Sequence, residues 1–304
     1  MRVYVIGSEG QIARSLYEAV EGDDRIVVGH SSRSEVDLLQ PATIQRALAS
    51  FLPDIVINPA AYTAVDRAES EADLAFAINR DGAGAVAAAA QEFGIPVIHL
   101  STDYVFDGKK GTPYVETDPV APQSVYGRSK LAGEIAVAAA CQRHIILRTA
   151  WVYAPFGTNF VRTMMRLGSE RDRLRVVNDQ IGCPTYAPDI ARAIISIAIS
   201  IELHGWRPEF AGVTHLAGPD ELSWFTFASE IMQLVKARGG HSAIIDPISA
   251  ADYPTAAVRP ANSRLNCDRL HSLFNLRLPA LSDALERCID RLLALSDKTA
   301  ECLP

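Results

Sequence analysis

Short β-branched runs alternate with longer amphipathic stretches through the first half of the chain. The runs have the length of buried strands and lie at Val3–Ile6, Ile26–Val28, Ile55–Ile57, Val97–Leu100 and Ile145–Leu147. The stretches between them have helical length and lie at Gln11–Val20, Ala42–Phe51, Glu69–Phe93 and Gln123–Ala140. This alternation is typical of right-handed crossovers between parallel strands. We therefore predict an α/β fold with a doubly wound parallel sheet.

The second half of the chain is less regular. It predicts a late strand at Val213–Ala217, an irregular loop over Ile248–Asn262, and helices at Asp189–Ile201, Phe225–Arg238 and Pro279–Leu295. No long linker or repeat interrupts it. We predict a sheet domain over residues 1–150, to which the chain returns near 186–218, and a smaller mixed lobe over 151–304.

Charge and cysteine content narrow the function classes for this chain. The net charge of the 304 residues is −7, which disfavours nucleic acid and anionic membranes as partners. The five cysteines form no C-x-x-C pair, so we expect reduced thiols rather than a disulfide framework or zinc site. The N-terminus lacks the features of a signal peptide, and the apolar stretch Ile190–Ile201 is too short to span a bilayer. We expect a cytoplasmic protein.

A glycine-rich turn follows the first predicted strand and opens the first helix. It reads G-x-x-G-x-x-A, with Gly7, Gly10 and Ala13 in the fixed positions and Gln11 and Ile12 at the start of the helix. Glycine permits a tight turn and close approach of a pyrophosphate, and the helix N-terminus attracts its negative charge. The turn predicts a Rossmann fold whose 1–150 domain binds NAD(P).

The end of the second strand indicates which dinucleotide is bound. An acid about twenty residues past the glycines is typical of NAD sites. No acid precedes Glu35 here, whereas Ser31, Ser32 and Arg33 offer hydroxyls and a cation for a 2′-phosphate. We predict NADPH, with NADH possible.

Two further segments are predicted to contact the cofactor. Asp37 and Leu38 follow the ribose segment and are placed to contact the adenine. Ala60 and Ala61 end the third strand, and their small side chains leave room for a cofactor that crosses the strand tips.

Tyr126 and Lys130 are four residues apart on a predicted helix and therefore share one face. A tyrosine with an ordinary pKa near 10 exchanges protons poorly at neutral pH, and a neighbouring ammonium lowers that pKa. Ser101 and Thr102 lie at the end of the fourth strand, the edge at which open α/β sheets bind ligands. The pattern predicts an oxidoreductase with Tyr126 and Lys130 as its catalytic pair.

Longer motifs surround these residues. They are Ala60–Asp66, His99–Phe106, Tyr126–Glu134, Arg148–Tyr153, Asn178–Gln180 with Gly182 and Pro184–Thr185, and Arg259–Pro260 with Asn262–Ser263. On these motifs, nearly end to end, the chain resembles the extended short-chain dehydrogenases and, among them, the dTDP-4-dehydrorhamnose reductase family.

The resemblance implies NADPH-dependent reduction of the C4 ketone of dTDP-4-dehydro-6-deoxy-L-mannose to dTDP-L-rhamnose. Tyr126 would donate the proton, Lys130 would tune it and hold the ribose, and Thr102 would bind the carbonyl oxygen. Tyr62 joins the cofactor segment through its motif. The residues expected at the nucleotide sugar are Thr102, Asp103, Tyr104, Val105, Trp151, Gln180, Arg259 and Asn262. The 151–304 lobe would mainly bind this substrate.

Several alternatives stay open at this stage. A reductase or epimerase of another nucleotide sugar would share the Tyr126–Lys130 pair, and a regulatory homologue of the methionine adenosyltransferase subunit type would keep the fold. Trp151 is alternatively a core residue, Arg259 a surface ion pair, and Asn79 a helix-bending residue. Some bacterial relatives dimerise through a magnesium ion, but the corresponding stretch here has one acid, Asp189. We predict no metal site and a monomer or homodimer without a metal bridge.

Overall fold

A parallel sheet forms the centre of the chain, of which this computed structural model describes residues 1–301. Its first five strands in chain order are β1 (Arg2–Val5), β2 (Val27–His30), β3 (Ile55–Asn58), β4 (Val97–Thr102) and β5 (His144–Thr149). The later strands are β6 (Val152–Tyr153), β7 (Arg173–Val177), β8 (Ile181–Gly182), β9 (Thr185–Tyr186), β10 (Gly212–His215), β11 (Leu222–Ser223) and β12 (Ile244–Ile248).

The order of strands across the central sheet is β2-β1-β3-β4-β5-β10, and every neighbouring pair is parallel. The chain leaves β1 toward β2 and then returns across β1 to β3, so the winding direction reverses between β1 and β3. A ligand of such a sheet binds outside the carboxyl ends of the strands, at this reversal.

Helices cover both faces of the sheet. They are α1 (Gln11–Ala19), α2 (Pro41–Phe51), α3 (Val65–Ala68), α4 (Ala72–Phe76), α5 (Ala83–Glu92), α6 (Val125–Ala140), α7 (Phe160–Glu170), α8 (Ala187–His204), α9 (Trp224–Ala237), α10 (Asp268–Phe274) and α11 (Leu281–Glu301). Leu16 of α1 and Ile194 of α8 pack on one face of the sheet, and Ile44 of α2 and Val137 of α6 pack on the other. The prediction of a doubly wound parallel sheet is confirmed.

The helix predicted over Glu69–Phe93 is present as a continuous helical run from α4 through α5. Its middle turn, Ala77–Gly82, is π-helical, which the sequence did not predict. The segment is rich in alanine, so its apolar pattern does not distinguish an α turn from a π turn.

A second apolar core lies in the C-terminal part of the chain. It packs α7, α9 and α11 against β7 and β12, around Tyr153 and Phe227. Three small two-stranded sheets, β6–β9, β8–β11 and β12–β7, join its loops. β10 returns from this part of the chain to pair with β5, at the position of the predicted late strand.

Two sequence expectations concern the environment of the chain. None of the helices within residues 1–301 combines the length and apolarity needed to cross a membrane. Cys141, Cys183, Cys267 and Cys288 are free thiols, and Cys302 lies outside the described residues.

Candidate active site

The glycine turn leaves the N-terminus of α1 open. Gly7 has φ +90°, a conformation that favours glycine, and its carbonyl accepts a 2.6 Å hydrogen bond from the Tyr17 hydroxyl. Gly10 is the N-cap residue of α1, and it has no side chain that could accept hydrogen bonds from the backbone N–H groups of the first turn. A Cβ at Gly10 would meet no described atom within 4 Å. Open backbone N–H groups at a helix N-terminus fit a pyrophosphate.

The neighbouring residues hold this turn in place. Ala60, after β3, faces Gly7 across the reversal of the sheet, 3.7 Å from the position of a Cβ there. The Asn159 amide donates to Gln11 Oε1 at 2.9 Å, which ties the start of α1 to the segment before α7. Ile12 packs against the core beneath the turn.

The segment after β2 has one uncommitted hydroxyl. Ser31 is buried, and its Oγ has no hydrogen-bond partner among the described residues. Ser32 donates its backbone N–H and its hydroxyl to the Glu35 carboxylate, at 2.7 and 2.8 Å. Arg33 is exposed. The Ser31 hydroxyl is therefore free to bind a polar group of a ligand, whereas the Ser32 hydroxyl is already hydrogen-bonded to Glu35.

Asn79 connects the predicted adenine and nicotinamide sides of the site. Its side chain accepts from the Tyr62 N–H at 2.8 Å and donates to Ser129 Oγ, on α6, at 2.9 Å. It lies within the π turn, whose last residue, Gly82, packs against Leu38. The sequence left the role of Asn79 open, with a helix-bending role as one alternative, and its contacts tie the segment after β3 to the helix of Tyr126.

Asp37 is committed to its own loop. Its Oδ1 accepts from the Leu39 N–H at 3.0 Å, and its backbone exchanges hydrogen bonds with Thr43 Oγ1. Ala60 and Ala61 follow β3 directly. These two alanines therefore lie at the carboxyl edge of the sheet.

Helix α6 brings Tyr126 and Lys130 to the carboxyl edge. It begins after Ser124, whose hydroxyl accepts from the Gly127 N–H at 3.1 Å. A Cβ at Gly127 would overlap the carbonyl of Tyr104, so glycine is needed for this close approach. The aromatic rings of Tyr104 and Tyr126 pack edge to face at 5.5 Å.

Lys130 is buried and Tyr126 is half-buried, and the loss of solvent shifts both pKa values toward the neutral forms. Burial raises the pKa of Tyr126 to about 12, the neighbouring Thr102 hydroxyl opposes the rise, and the charge of Asp103 adds to it. Burial lowers the pKa of Lys130 to about 8, and the charge of Glu134 opposes it. The Lys130 ammonium donates to the Leu100 carbonyl at 2.6 Å. A protonated Tyr126 is the form that a proton donor requires.

A buried ion pair between Glu134 and Arg148 lies beneath Tyr126 and Lys130. The sequence did not predict it. The Arg148 guanidinium donates to both oxygens of Glu134, at 2.9 and 2.7 Å, and Ser101 Oγ donates to the same carboxylate at 2.5 Å. These contacts fix α6 to β5 and β4. Glu134 and Arg148 both belong to the longer sequence motifs, but their pairing needs the folded register.

Thr102 and Asp103 lie beside Tyr126 at the end of β4. Thr102 Oγ1 donates to Asp103 Oδ1 at 2.9 Å and accepts from the Tyr104 N–H at 3.2 Å. Burial raises the pKa of Asp103 to about 7, against the hydrogen bond from Thr102. Val105 is fully buried and contributes to the core beneath these groups.

Trp151 lies just beyond β5, whose last residue pairs with Thr102 in the sheet. Its indole stacks on Trp224, with ring centroids 3.4 Å apart and planes 5° apart. One face of the Trp151 ring is therefore already covered by protein. Sequence reasoning missed Trp224, because its only signal is a Ser-Trp step at the start of a helix.

A cavity of about 220 Å³ opens beside this edge, lined by Gln180, Tyr253 and Arg259 among others. Arg259 forms a two-pronged ion pair with Asp66, with nitrogen–oxygen distances of 3.1 and 2.7 Å. The ion pair that the sequence analysis gave as the alternative role of Arg259 is therefore present, and it lies in the wall of the cavity. Its guanidinium nonetheless presents a cation to a ligand there.

Asn262 is held by its own loop. Its amide donates to the carbonyls of Lys110 and Thr112 at 2.6 and 2.9 Å, and its Oδ1 accepts from Arg264. These bonds join the 108–112 and 261–264 segments. The structure thus collects the predicted cofactor segments, the predicted catalytic residues Thr102, Tyr126 and Lys130, and Trp151 at one edge, with Asn262 supporting that edge.

Asp189 is held by arginines. Its buried carboxylate accepts from Arg287 at 2.8 and 3.0 Å and also pairs with Arg192. Within residues 1–301, no cluster of three or more His, Cys, Asp or Glu side chains is arranged to hold a metal ion.

The chain is similar to known reductases over its length. The sequence profile of the family described as RmlD substrate binding domain matches residues 1–294. The dTDP-4-dehydrorhamnose reductase of Sinorhizobium fredii is 48% identical over 96% of this chain and 98% of that protein. The Escherichia coli K12 enzyme of the same name is 39% identical over 96% and 98%.

Solved structures agree with the sequence relatives. The dTDP-4-dehydrorhamnose reductase of Bacillus anthracis in complex with NADP superposes with a TM-score of 0.87, at 35% identity over 95% of this chain and 98% of that one. The Clostridium acetobutylicum reductase gives 0.88, at 34% identity over 96% and 100%. The resemblance predicted from the motifs is confirmed, and the chain belongs to the dTDP-4-dehydrorhamnose reductase family.

Proposed function

We propose that this chain reduces the C4 ketone of dTDP-4-dehydro-6-deoxy-L-mannose to dTDP-L-rhamnose with NADPH. The observation that carries the proposal is the meeting of Thr102, Tyr126 and Lys130 at the carboxyl edge of the sheet, beside the open N-terminus of α1. Relatives that are 48% and 39% identical bear the name of this activity.

The residues present fit a dinucleotide. Its pyrophosphate would bind at Gly7, Gly10, Gln11 and Ile12 of the open helix N-terminus. The other residues that would hold it are Ser31, Ser32, Arg33, Asp37, Leu38, Ala60, Ala61, Tyr62, Tyr126 and Lys130. When bound, NADPH supplies the hydride for the carbonyl carbon. The Bacillus anthracis reductase was solved in complex with NADP, which supports this choice over NADH.

Three side chains would act on the ketone. The Tyr126 phenol donates its proton to the oxygen of the ketone as that oxygen gains negative charge. The Thr102 hydroxyl stabilises the same charge by a hydrogen bond. The Lys130 ammonium, in its charged form, lowers the cost of the resulting Tyr126 phenolate. One hydride and one proton together convert the ketone into the alcohol.

The nucleotide sugar would lie between the two cores. Asp103 and Tyr104 would line the site beside Thr102, with Val105 supporting them from the core, and Trp151 would offer an apolar surface to the sugar. Gln180 and Arg259 would bind the dTDP part at the 220 Å³ cavity, with Asn262 supporting their loops. Residues 1–150, with the return near 186–218, would then serve mainly the cofactor and 151–304 the substrate. We place this reaction in the cytoplasm, where free cysteines are stable.

A coupled assay tests the proposal. The dTDP ketose, generated from dTDP-glucose by the upstream enzymes, should drive NADPH oxidation by this chain. Tyr126→Phe should lower turnover by about 10²–10⁴-fold and leave the NADPH Kd within twofold. A GDP-linked ketose and NADH serve as comparison substrates. Turnover with the GDP ketose alone, or NADPH binding without turnover of either ketose, would contradict the proposal.

A further inference from the structure

Trp151 has a strained backbone. Its φ is +46°, in the left-handed region that large side chains rarely adopt. The Thr185 N–H donates a hydrogen bond to the Trp151 carbonyl at 3.1 Å. Strain of this kind persists where surrounding contacts fix the residue, and it concentrates at functional sites.

Two contacts fix the Trp151 indole. Trp224 covers one face of the ring in an almost parallel stack, and Phe160 packs on Trp224 at 4.5 Å. On another side, Gly182 lies so close that a Cβ there would overlap the indole at Nε1 and Cε2. The ring is therefore confined between an aromatic partner and a bare stretch of backbone.

One small sheet supplies both contacts. Gly182 is part of β8, and Trp224 directly follows β11, which pairs with β8 through Leu222 and Gly182. Ser223 caps α9 and donates to Asn178 Oδ1 at 2.7 Å, so the loop before β8 is joined to the start of α9. The orientation of Trp151 depends on this unit as a whole.

We propose that Trp224 is a positioning residue for the sugar. Together with Gly182 it holds the Trp151 indole so that the remaining surface of the ring meets the deoxyhexose of the nucleotide sugar. Trp224 acts through Trp151, because it lies behind that ring. This inference rests on the proposed function and adds a residue that sets affinity for the sugar rather than for the cofactor.

Three variants test it: Trp224→Ala, Trp224→Phe and the control Trp206→Phe. Trp206 packs on Phe210 in the core beneath the sheet, away from Trp151. A stacked tryptophan pair gives an exciton couplet in far-ultraviolet circular dichroism, which both Trp224 variants should lose and Trp206→Phe should keep. Trp224→Ala should raise KM for the dTDP ketose about five- to tenfold, the loss expected from one aromatic pair.

The remaining readouts separate positioning from general damage. Trp224→Phe keeps a flat ring and should restore KM to within twofold of wild type, while the NADPH Kd stays within twofold in all three variants. An unchanged KM in Trp224→Ala, or a parallel rise in the NADPH Kd, would overturn the inference.

Gly182→Ala is a second, independent variant that moves the indole from the other side. It should raise KM for the dTDP ketose even if Trp224→Ala does not fold, and an unchanged KM would overturn the inference. The proposed function fails differently, since wild-type protein would then show no turnover of the dTDP ketose. That result would overturn both.

Discussion

The carboxyl of Asp103 lies in the interior beside the Thr102 hydroxyl and the Tyr126 ring. Burial raises its pKa to about 7, although the hydrogen bond from Thr102 favours the charged form. In the unfolded chain an aspartate titrates near pH 4. The folded protein therefore holds this proton more tightly than the unfolded chain does.

The stability of the fold should consequently fall with pH in a window set by Asp103. Its contribution is complete below about pH 4 and is lost as the pH rises through about 7, a change on the order of a few kcal/mol. Asp103→Asn cannot titrate. Thermal melts from pH 5.5 to 8 should therefore show the melting temperature of wild type falling relative to that of the variant.

Asp66→Asn provides the matched control for that experiment. The hydrogen-bonded Arg259 lowers the pKa of Asp66, so this carboxylate stays ionised across the whole window. Its difference from wild type should be constant between pH 5.5 and 8. Parallel curves for wild type and Asp103→Asn would contradict the assignment of a buried, titrating Asp103.

Individual residues were predictable to different degrees. The spacing of Tyr126 and Lys130 is local, and it placed both on one helix face correctly. Trp224 and Gly182 reach Trp151 only because β8 pairs with β11, and two-residue strands leave no periodic signal. Pairings between distant segments, such as Glu134 with Arg148, likewise arise from the fold.

At the scale of elements, the contact between the π turn and α6 controls where Tyr126 and Lys130, the proposed catalytic pair, lie. Gly133 of α6 faces the backbone of Asn79, and a Cβ at Gly133 would overlap the Asn79 carbonyl oxygen. Asn79 also donates to Ser129 of α6 and holds Tyr62. The two helices can approach this closely only through glycine.

Gly133→Ala should therefore force the π turn and α6 apart. We expect a loss of about 1–3 kcal/mol in the free energy of unfolding, together with reduced turnover because Tyr126 and Lys130 move with the helix. Urea denaturation and the coupled assay measure the two effects.

Gly84→Ala is the control, because Gly84 lies in α5 just after the π turn and faces the same helix, α6. A Cβ at Gly84 would lie 3.2 Å from the Ala136 Cβ, a contact that a small shift relieves. It should cost much less stability than Gly133→Ala. Equal stability of the two variants would show that the approach of α6 to the π turn is not tight.

Most of the long elements were predicted. The central strands and α1, α2, α6, α8, α9 and α11 lie close to their predicted positions. Helix α7 and the five-residue strands β7 and β12 were not predicted. The π turn was missed because the alanine-rich sequence around it has little periodicity. Strands β6, β8, β9 and β11 were missed because two residues carry no period.

At the scale of the whole molecule, α11 joins the two cores. Arg287 and Arg291 of this helix pair with Asp189 on α8 and Glu18 on α1, which pack on the central sheet. The Asp189 carboxylate is almost completely buried and is satisfied by guanidinium groups. It is thus committed to joining α11 to α8 through these arginine contacts.

This commitment predicts how the oligomeric state responds to metal. Sedimentation velocity should give the same species in EDTA and in millimolar magnesium, whether that species is a monomer or a homodimer. Asp189→Asn should lower the melting temperature, since it leaves two arginines underpaired, and should not alter the response to metal. A dimer that dissociates in EDTA would contradict this prediction.

Strand β10 also bears on how the chain is made. β5 lies between β4 and β10, so its outer edge stays unpaired until the ribosome has added Gly212–His215. An open strand edge invites pairing with other chains. The sheet therefore lacks its last strand until residues 212–215 have been synthesised, and a fragment that stops at residue 150 should aggregate more readily than the full chain.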